Sequence, residues 1–246
     1  MKLPEKEKAA QKAAFRTMSP ADKLDHIWTY FKWPILLGLI VLLVLGSVLR
    51  RALTEKEPTL YIALANVSIG TELESELTED FLRAEEADLK RQEIYLYRDL
   101  YLSENADVVN HEYAYASRMK VMSAIQTQKL DVAVMNREAY DLFSAQGYLL
   151  DLDALLSETD PALRDTVSPW LTSNLVVLED NTLEYQLGEA ESRELITETV
   201  VNGMELTELS LFGKAGFPDS VYLGVIANSE RIPACLQYIK YLLSVS

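Results

Sequence analysis

The sequence predicts an α/β protein in which a single N-terminal transmembrane helix precedes an extracytoplasmic α/β domain. Three observations predict it. An apolar run, ILLGLIVLLVLGSVL (35–49), lies early in the 246-residue chain. Beyond it, short apolar runs such as TLYIALAN (59–66), LDVAVM (130–135) and VYLGVIA (221–227) alternate with stretches of helical period. Continuous apolar strands alternating with helices indicate a mainly parallel sheet covered on both faces. Charge divides at the same place: residues 1–57 hold ten bases and six acids, and residues 58–246 hold 13 bases and 32 acids.

Fifteen helical residues reach only about 22 Å, against a hydrocarbon core of roughly 30 Å. On the N-terminal side, Ile27, Trp28, Tyr30, Phe31 and Trp33 supply a collar for the headgroup level and Lys32 can snorkel. The segment from Ile27 to Leu49 is therefore expected to cross the lipid bilayer with some tilt, in preference to forming a buried core helix. A cleaved signal peptide is disfavoured, because thirty-four residues precede the run and Leu49-Arg50-Arg51 replaces a small-x-small cleavage pattern. Seven bases before the span (Lys2, Lys6, Lys8, Lys12, Arg16, Lys23, Lys32) against three after it (Arg50, Arg51, Lys56) place the N-terminus in the cytoplasm. The expected location is the cell membrane, single-pass, with the C-terminal domain outside. The chain then divides into a mobile cytoplasmic tail (1–18), an amphipathic interfacial helix (19–33), the transmembrane helix (34–50), a spacer (51–58) and the outer domain (59–246). Ser19-Pro20 starts the interfacial helix, and Leu24, Ile27, Trp28 and Phe31 form its stripe, which alternatively suits a partner.

In the outer domain, residues 59–66 read as the first strand. Thr71-Glu72-Leu73-Glu74 has the capping-box pattern, and Leu73, Leu77, Phe81 and Ala84 stripe the helix behind it. EIYLYRDLYL (93–102) alternates as a second strand. A long helix over about 107–129 carries Tyr115, Met119, Met122 and Ile125 on one side. Residues 130–135 form the third strand, followed by a helix over 137–146 that Gly147 ends. Residues 221–227 are a return strand, and Ile232, Leu236, Ile239 and Leu243 stripe a last helix with Pro233 in its first turn. Between 160 and 219 the pattern loosens. Residues 175–178 suggest a strand, while Gly188, Gly203, Gly213, Gly216 and Pro218 interrupt the rest.

Composition narrows the function classes. An acidic domain repels phosphate backbones, so nucleic acid is excluded as a partner. Cys235 is the single cysteine, and beside Leu236 and Ile239 it reads as a small core hydrophobe. No catalytic residue emerges. The only histidines are His26 and His111, and no nucleophile-elbow glycine pattern accompanies them. Asp151 and Asp153 near a helix start are explained by capping and the helix dipole. Zinc spacing, an EF-hand loop and a glycine-rich phosphate loop are lacking, so neither a metal nor a cofactor is expected.

Binding has better material. In open α/β sheets ligands sit beyond the carboxyl ends of strands. Those positions are Asn66 and Ser68 after the first strand, Tyr101 after the second and Asn136 after the third, with Asn228 after the return strand. Asparagine and serine at strand ends also simply shape turns. The tyrosines Tyr95, Tyr97, Tyr101, Tyr113 and Tyr115 offer stacking faces and hydroxyls that suit sugars or peptides.

Three segments carry a resemblance. QKLDVAVMNREAYDLFSAQGYLLDLDALL (128–156), VYLGVIANSERIPACLQYIKYLL (221–243) and TLYIALANVSIGTELESELTEDFLRAEEA (59–87) resemble extracellular solute-binding proteins of the type 2 fold. The resemblance implies one lobe of such a protein with a reduced second lobe, inserted where residues 160–219 fall, and no enzymatic activity. It implies a membrane-tethered extracytoplasmic binding protein, possible partners being a small solute and a transport system. The alternative is a structural or interaction protein of the cell envelope with a vestigial cleft and a membrane protein as partner. A middle segment that walls the cleft opposite Asn66 and Asn136 favours the first; one that pads the sheet favours the second.

Overall fold

The transmembrane expectation fails on length. The computed structural model describes residues 28, 32–34, 36–47, 56–103, 110–187 and 192–245. Among them no helix is long and apolar enough to cross a membrane. The single-pass helix at 34–50, and with it the bilayer-spanning segment from Ile27 to Leu49, is corrected accordingly. The expected cytoplasmic tail, the start of the interfacial helix and His26 lie outside the described residues. The chain divides into two units, Met1–Glu55 and Lys56–Ser246.

The second unit is built on a six-stranded sheet of order β2-β1-β3-β6-β5-β4. Strands β1 (Glu57–Ala65), β2 (Gln92–Leu100) and β3 (Val132–Asn136) are parallel. Strand β6 (Val221–Val225) is antiparallel to β3, β5 (Leu195–Glu205) to β6, and β4 (Leu171–Asp180) to β5. The sheet is therefore mixed and not mainly parallel. A buried apolar run has the same pattern in either direction; what turns β6 round is its arrival from the β4–β5 hairpin.

The middle strands are apolar throughout because both their faces are covered. Leu60, Ile62 and Leu64 of β1, Val132 and Val134 of β3, and Val221, Leu223 and Val225 of β6 enter one core. Ala63, Ala65, Ala133, Met135 and Tyr222 enter the other. The first core is closed by α1 (Thr71–Ser75), a π turn (Glu76–Asp80), α2 (Phe81–Ala84), α5 (Leu152–Thr159), α6 (Pro161–Val167), α8 (Ser210–Ala215) and α9 (Ile232–Ser244). The second is closed by α3 (His111–Gln126) and α4 (Arg137–Ala145). A short α7 (Thr182–Gln186) follows β4.

Three local expectations change. The capping box is not formed: Gly70 is the N-cap, Thr71 lies inside the helix, and no side chain caps it. Leu73, Leu77 and Phe81, four residues apart, drift round a helix of 3.6 residues per turn, and the wider π turn holds them on the core side. Leu82 is buried with them, whereas Ala84 is exposed. In α3, Tyr115 and Met119 are exposed and the buried face is Ser117, Val121, Ala124 and Ile125. Val121, Ala124 and Ile125 enter the core that Ala63 and Ala65 share, and Ser117 Oγ accepts from the Tyr101 N–H.

Polar clamps join distant segments. Asp131 is wholly buried at the start of β3: it accepts from the Tyr61 N–H (2.9 Å) and the Ser229 hydroxyl (2.6 Å), and pairs with Arg231 (3.3 Å). The Arg231 guanidinium also lies 4.8 Å over the Tyr61 ring. Asp160 caps α6 and pairs with Lys240 of α9 at 2.7 Å; the Lys240 hydrogen bond, followed by that from the Leu163 N–H, holds its carboxyl below the ordinary range. Cys235 is buried beside Asp131, and burial pushes its thiol up to about 12.

Strands β4 and β5 form an arm. Only Met204 and Glu205 of β5 pair with β6. The base of the arm is tied to α4 by a buried network. The Tyr140 hydroxyl donates to Asn202 Oδ1 (2.8 Å), Asn202 Nδ2 donates to Ser144 Oγ (2.8 Å), and Ser144 Oγ donates to the Leu175 carbonyl (2.8 Å). Gly203 permits this, since a Cβ there would stand 2.5 Å from the Tyr140 oxygen.

Candidate functional site

Parallel pairing of β1, β2 and β3 brings their carboxyl ends to one edge of the sheet. A cleft of about 730 Å³, including the solvent at its mouth, opens there. Asn66, Ser68, Tyr101 and Asn136, four of the five residues expected to bind, line it together with Asp99 and Glu138. Asn228 does not join them. Because β6 is antiparallel, its carboxyl end lies at the opposite edge, where Asn228 Nδ2 donates to the Ile125 carbonyl (2.8 Å) at the end of α3.

Three of the polar side chains of the cleft, Asn66, Asn136 and Tyr113, already hold backbone. Asn66 has φ 56°, a left-handed conformation that asparagine tolerates, and its side chain brackets Leu102. Its Nδ2 donates to the Leu102 carbonyl (2.7 Å) and its Oδ1 accepts from the Leu102 N–H (2.7 Å). Asn136 is the N-cap of α4 and accepts from the Ala139 N–H at 3.0 Å. The Tyr101 N–H donates to Ser117 Oγ (3.1 Å). Asp99, also at φ 56°, accepts at its carbonyl from the Tyr113 hydroxyl, and Glu138 accepts from Ser103 Oγ at 2.6 Å. Ser68 is exposed.

Among the described residues, the lining contains two carboxylates and no lysine or arginine. That composition disfavours anions and suits neutral or cationic polar groups. His111 is exposed at the start of α3 and is not among the lining residues. Among the described residues, no group of three or more histidine, cysteine or acidic side chains could hold a metal ion. Asp151 caps α5, accepting from the Ala154 N–H, and Asp153 pairs with Arg164 at 2.8 Å.

The tyrosine series is split by the fold. Tyr101 and Tyr113 reach the cleft. Tyr95 packs tilted against Tyr61, with ring centroids 5.7 Å apart, and Tyr97 packs edge-on against Tyr95 at 4.8 Å. A second recess, of about 670 Å³, lies between α3 and α4 and is mostly apolar, lined by Leu102, Val121, Met122, Phe143 and Tyr148 with Arg118.

Asp99 and Glu138 were legible as near neighbours of the strand ends at Tyr101 and Asn136, but their charge hid them among 32 acids. The network of Tyr140, Ser144 and Asn202 carries no local signal, because its members are joined only by the packing of the arm on α4. No family model, curated protein or solved structure matches the chain.

Proposed function

We propose that the second unit is a protein-interaction module built on a lobe like that of a solute-binding protein, in which the solute cleft is a structural recess. The observation that carries this reading is the placement of the middle segment. A ligand trap needs two walls, and among the described residues none of those lining the cleft comes from 160–219. Those residues instead supply α6, β4, β5 and α8, and lengthen the sheet on the far side of β6. The bonds of Asn66 to Leu102 and of Asn136 to Ala139 support the same reading, since side chains that hold turns are not available to a ligand.

Convergence of Asn66, Ser68, Tyr101 and Asn136 on one cleft favours a second reading, a solute-binding component for a neutral or cationic polar ligand. Thermal unfolding of the full chain against sugars, amino acids and short peptides separates the two. A ligand at 100 times its dissociation constant adds about 2.7 kcal/mol, or a shift on the order of 5–10 °C for a domain of this size. The interaction reading expects a flat panel. A shift that disappears on Tyr101→Ala would overturn it.

A further inference from the structure

We infer that the outer edge of β4 is a strand-addition site for an extended protein segment whose side chains alternate between apolar and basic. The inference rests on the interaction reading and gives it a surface.

The two ends of the sheet are β2 and β4. Open edges invite pairing, and charged side chains or proline normally guard them. β2 is guarded by Glu93, Arg98 and Asp99, with Arg98 paired to Glu74. In β4 the run Leu175-Val176-Val177-Leu178 has neither charge nor proline, and Leu175 and Leu178 are 52 % and 56 % exposed. The Tyr140 hydroxyl reaches the Thr172 carbonyl (3.2 Å) and Ser144 takes that of Leu175, so α4 occupies the lower part of this strand. The accessible edge therefore runs from Val176 to Asp180, apolar as far as Leu178 and acidic beyond a register shift between Val177 and Glu179, which is enough for a short added strand that brings its own cations.

The register specifies the partner. Val176 pairs with Glu198 and Glu179 with Ile196, which places both acids on one face of the arm. Leu175 pairs with Thr199, Val177 with Thr197 and Asp180 with Leu195, so the opposite face presents Leu175, Val177 and Leu195 with Asp180 at its end, while Val176 and Ile196 accompany the two glutamates. Glu179, Glu198 and Leu195 are exposed. Strand side chains alternate between faces, so an added strand meets a mainly apolar face on one side and, on the other, the face that carries Glu179 and Glu198. A period-two pattern of apolar and cationic residues satisfies both.

Charge selects this partner over a second copy of the chain. Residues 171–205 hold eight acids, and Arg193 is their only base. Pairing two such arms sets like charges opposite one another, whereas a basic strand neutralises them.

The test uses the full chain and a fluorescent nine-residue peptide of alternating valine and lysine. Its comparisons are a peptide of the same composition with the valines and lysines in two blocks, and an alternating valine–glutamate peptide. Expected are saturable binding at least tenfold tighter than that of the block peptide, and slowed amide exchange over residues 175–180. Reversing both acids (Glu179→Lys with Glu198→Lys) should weaken binding at least tenfold and transfer preference to the valine–glutamate peptide, while Glu158→Lys on α5 leaves it unchanged. Equal binding of the block peptide, indifference to the double reversal, or protection confined to another segment would overturn the assignment. So would concentration-dependent dimerisation that slows exchange in β4, because the occupant would then be a second copy. Failure here with a flat solute panel removes β4 but not the interaction reading; a solute shift removes that reading itself.

Discussion

The parallel half of the sheet and its antiparallel arm are held by different chemistry. In the parallel half, a buried carboxylate, Asp131, ties β3 to β1 and to the loop before α9 through Tyr61, Ser229 and Arg231. In the arm, neutral groups do the tying: Tyr140, Asn202 and Ser144 join β4 and β5 to α4. The strands differ in the same way. Four of the five residues of β3 are buried, whereas no residue of β4 is. The first half is fixed by two-sided burial and one ionic clamp. The second is fixed at its base alone, which leaves its outer edge available to another chain.

Removing the clamp should have the largest effect. Asp131→Ala leaves the Arg231 guanidinium without its carboxylate and the Tyr61 N–H without its acceptor. Breaking a buried pair from one side costs about 3–5 kcal/mol. Denaturant unfolding should show a loss of that size in one transition. A loss below about 1 kcal/mol would mean that the parallel half is held by its cores alone.

The arm should break next, and separately. In Gly203→Ala the new Cβ meets the Tyr140 hydroxyl at 2.5 Å and the ring carbon behind it at 2.6 Å, so the ring must leave. Overpacking costs roughly 1–3 kcal/mol and an orphaned Asn202 adds a comparable amount. Hydrogen exchange should accelerate over residues 171–205 while β1 and β3 keep their protection. In a Tyr140→Leu background the same substitution should cost less, because the two positions are in contact. Uniform loss of protection would show that arm and sheet are one cooperative unit.

How far the sequence could be read follows the same division. TLYIALAN, LDVAVM and VYLGVIA are recognisable as strands because burial on both faces demands an unbroken apolar run. β5, LITETVVNGME, is exposed over its first five residues, and its threonines and glutamates carry no such demand. Strand direction leaves no local trace, so Asn228 was grouped with residues at the opposite edge. The large residues of α3 suggest one face, whereas the buried face carries Val121, Ala124 and Ile125 in the core and Ser117, whose hydroxyl accepts from the Tyr101 N–H.

A smaller effect distinguishes the halves by pH. Cys235, in the parallel half, has its thiol raised to about 12 by burial, from an ordinary value of 9. The folded state therefore favours the protonated form. Its contribution to stability is complete below pH 9 and is lost as pH rises from 9 towards 12, at a slope of about 1.4 kcal/mol per pH unit. Burial raises Tyr238 and Tyr140 as well, which adds to the loss above pH 10. Between pH 9 and 10 the fall belongs mainly to Cys235, so Cys235→Ala should flatten the curve there even if it lowers the plateau. An unchanged slope would exclude the thiol as its source.

The smallest effect bears on function. Asn66 combines a left-handed backbone with two bonds to Leu102, and the two contributions separate. Asn66→Gly keeps the conformation and loses the bonds, at about 1 kcal/mol. Asn66→Ala loses the bonds and adds the strain of a Cβ at positive φ, a further ~1 kcal/mol. A difference of that size between the variants, measured by thermal unfolding, would make Asn66 a turn-holding residue that keeps β1 and the end of β2 in register at the cleft. If instead the variants are equally stable and a solute response disappears in both, the amide of Asn66 faces a ligand, and the parallel half regains the binding role assigned here to the arm.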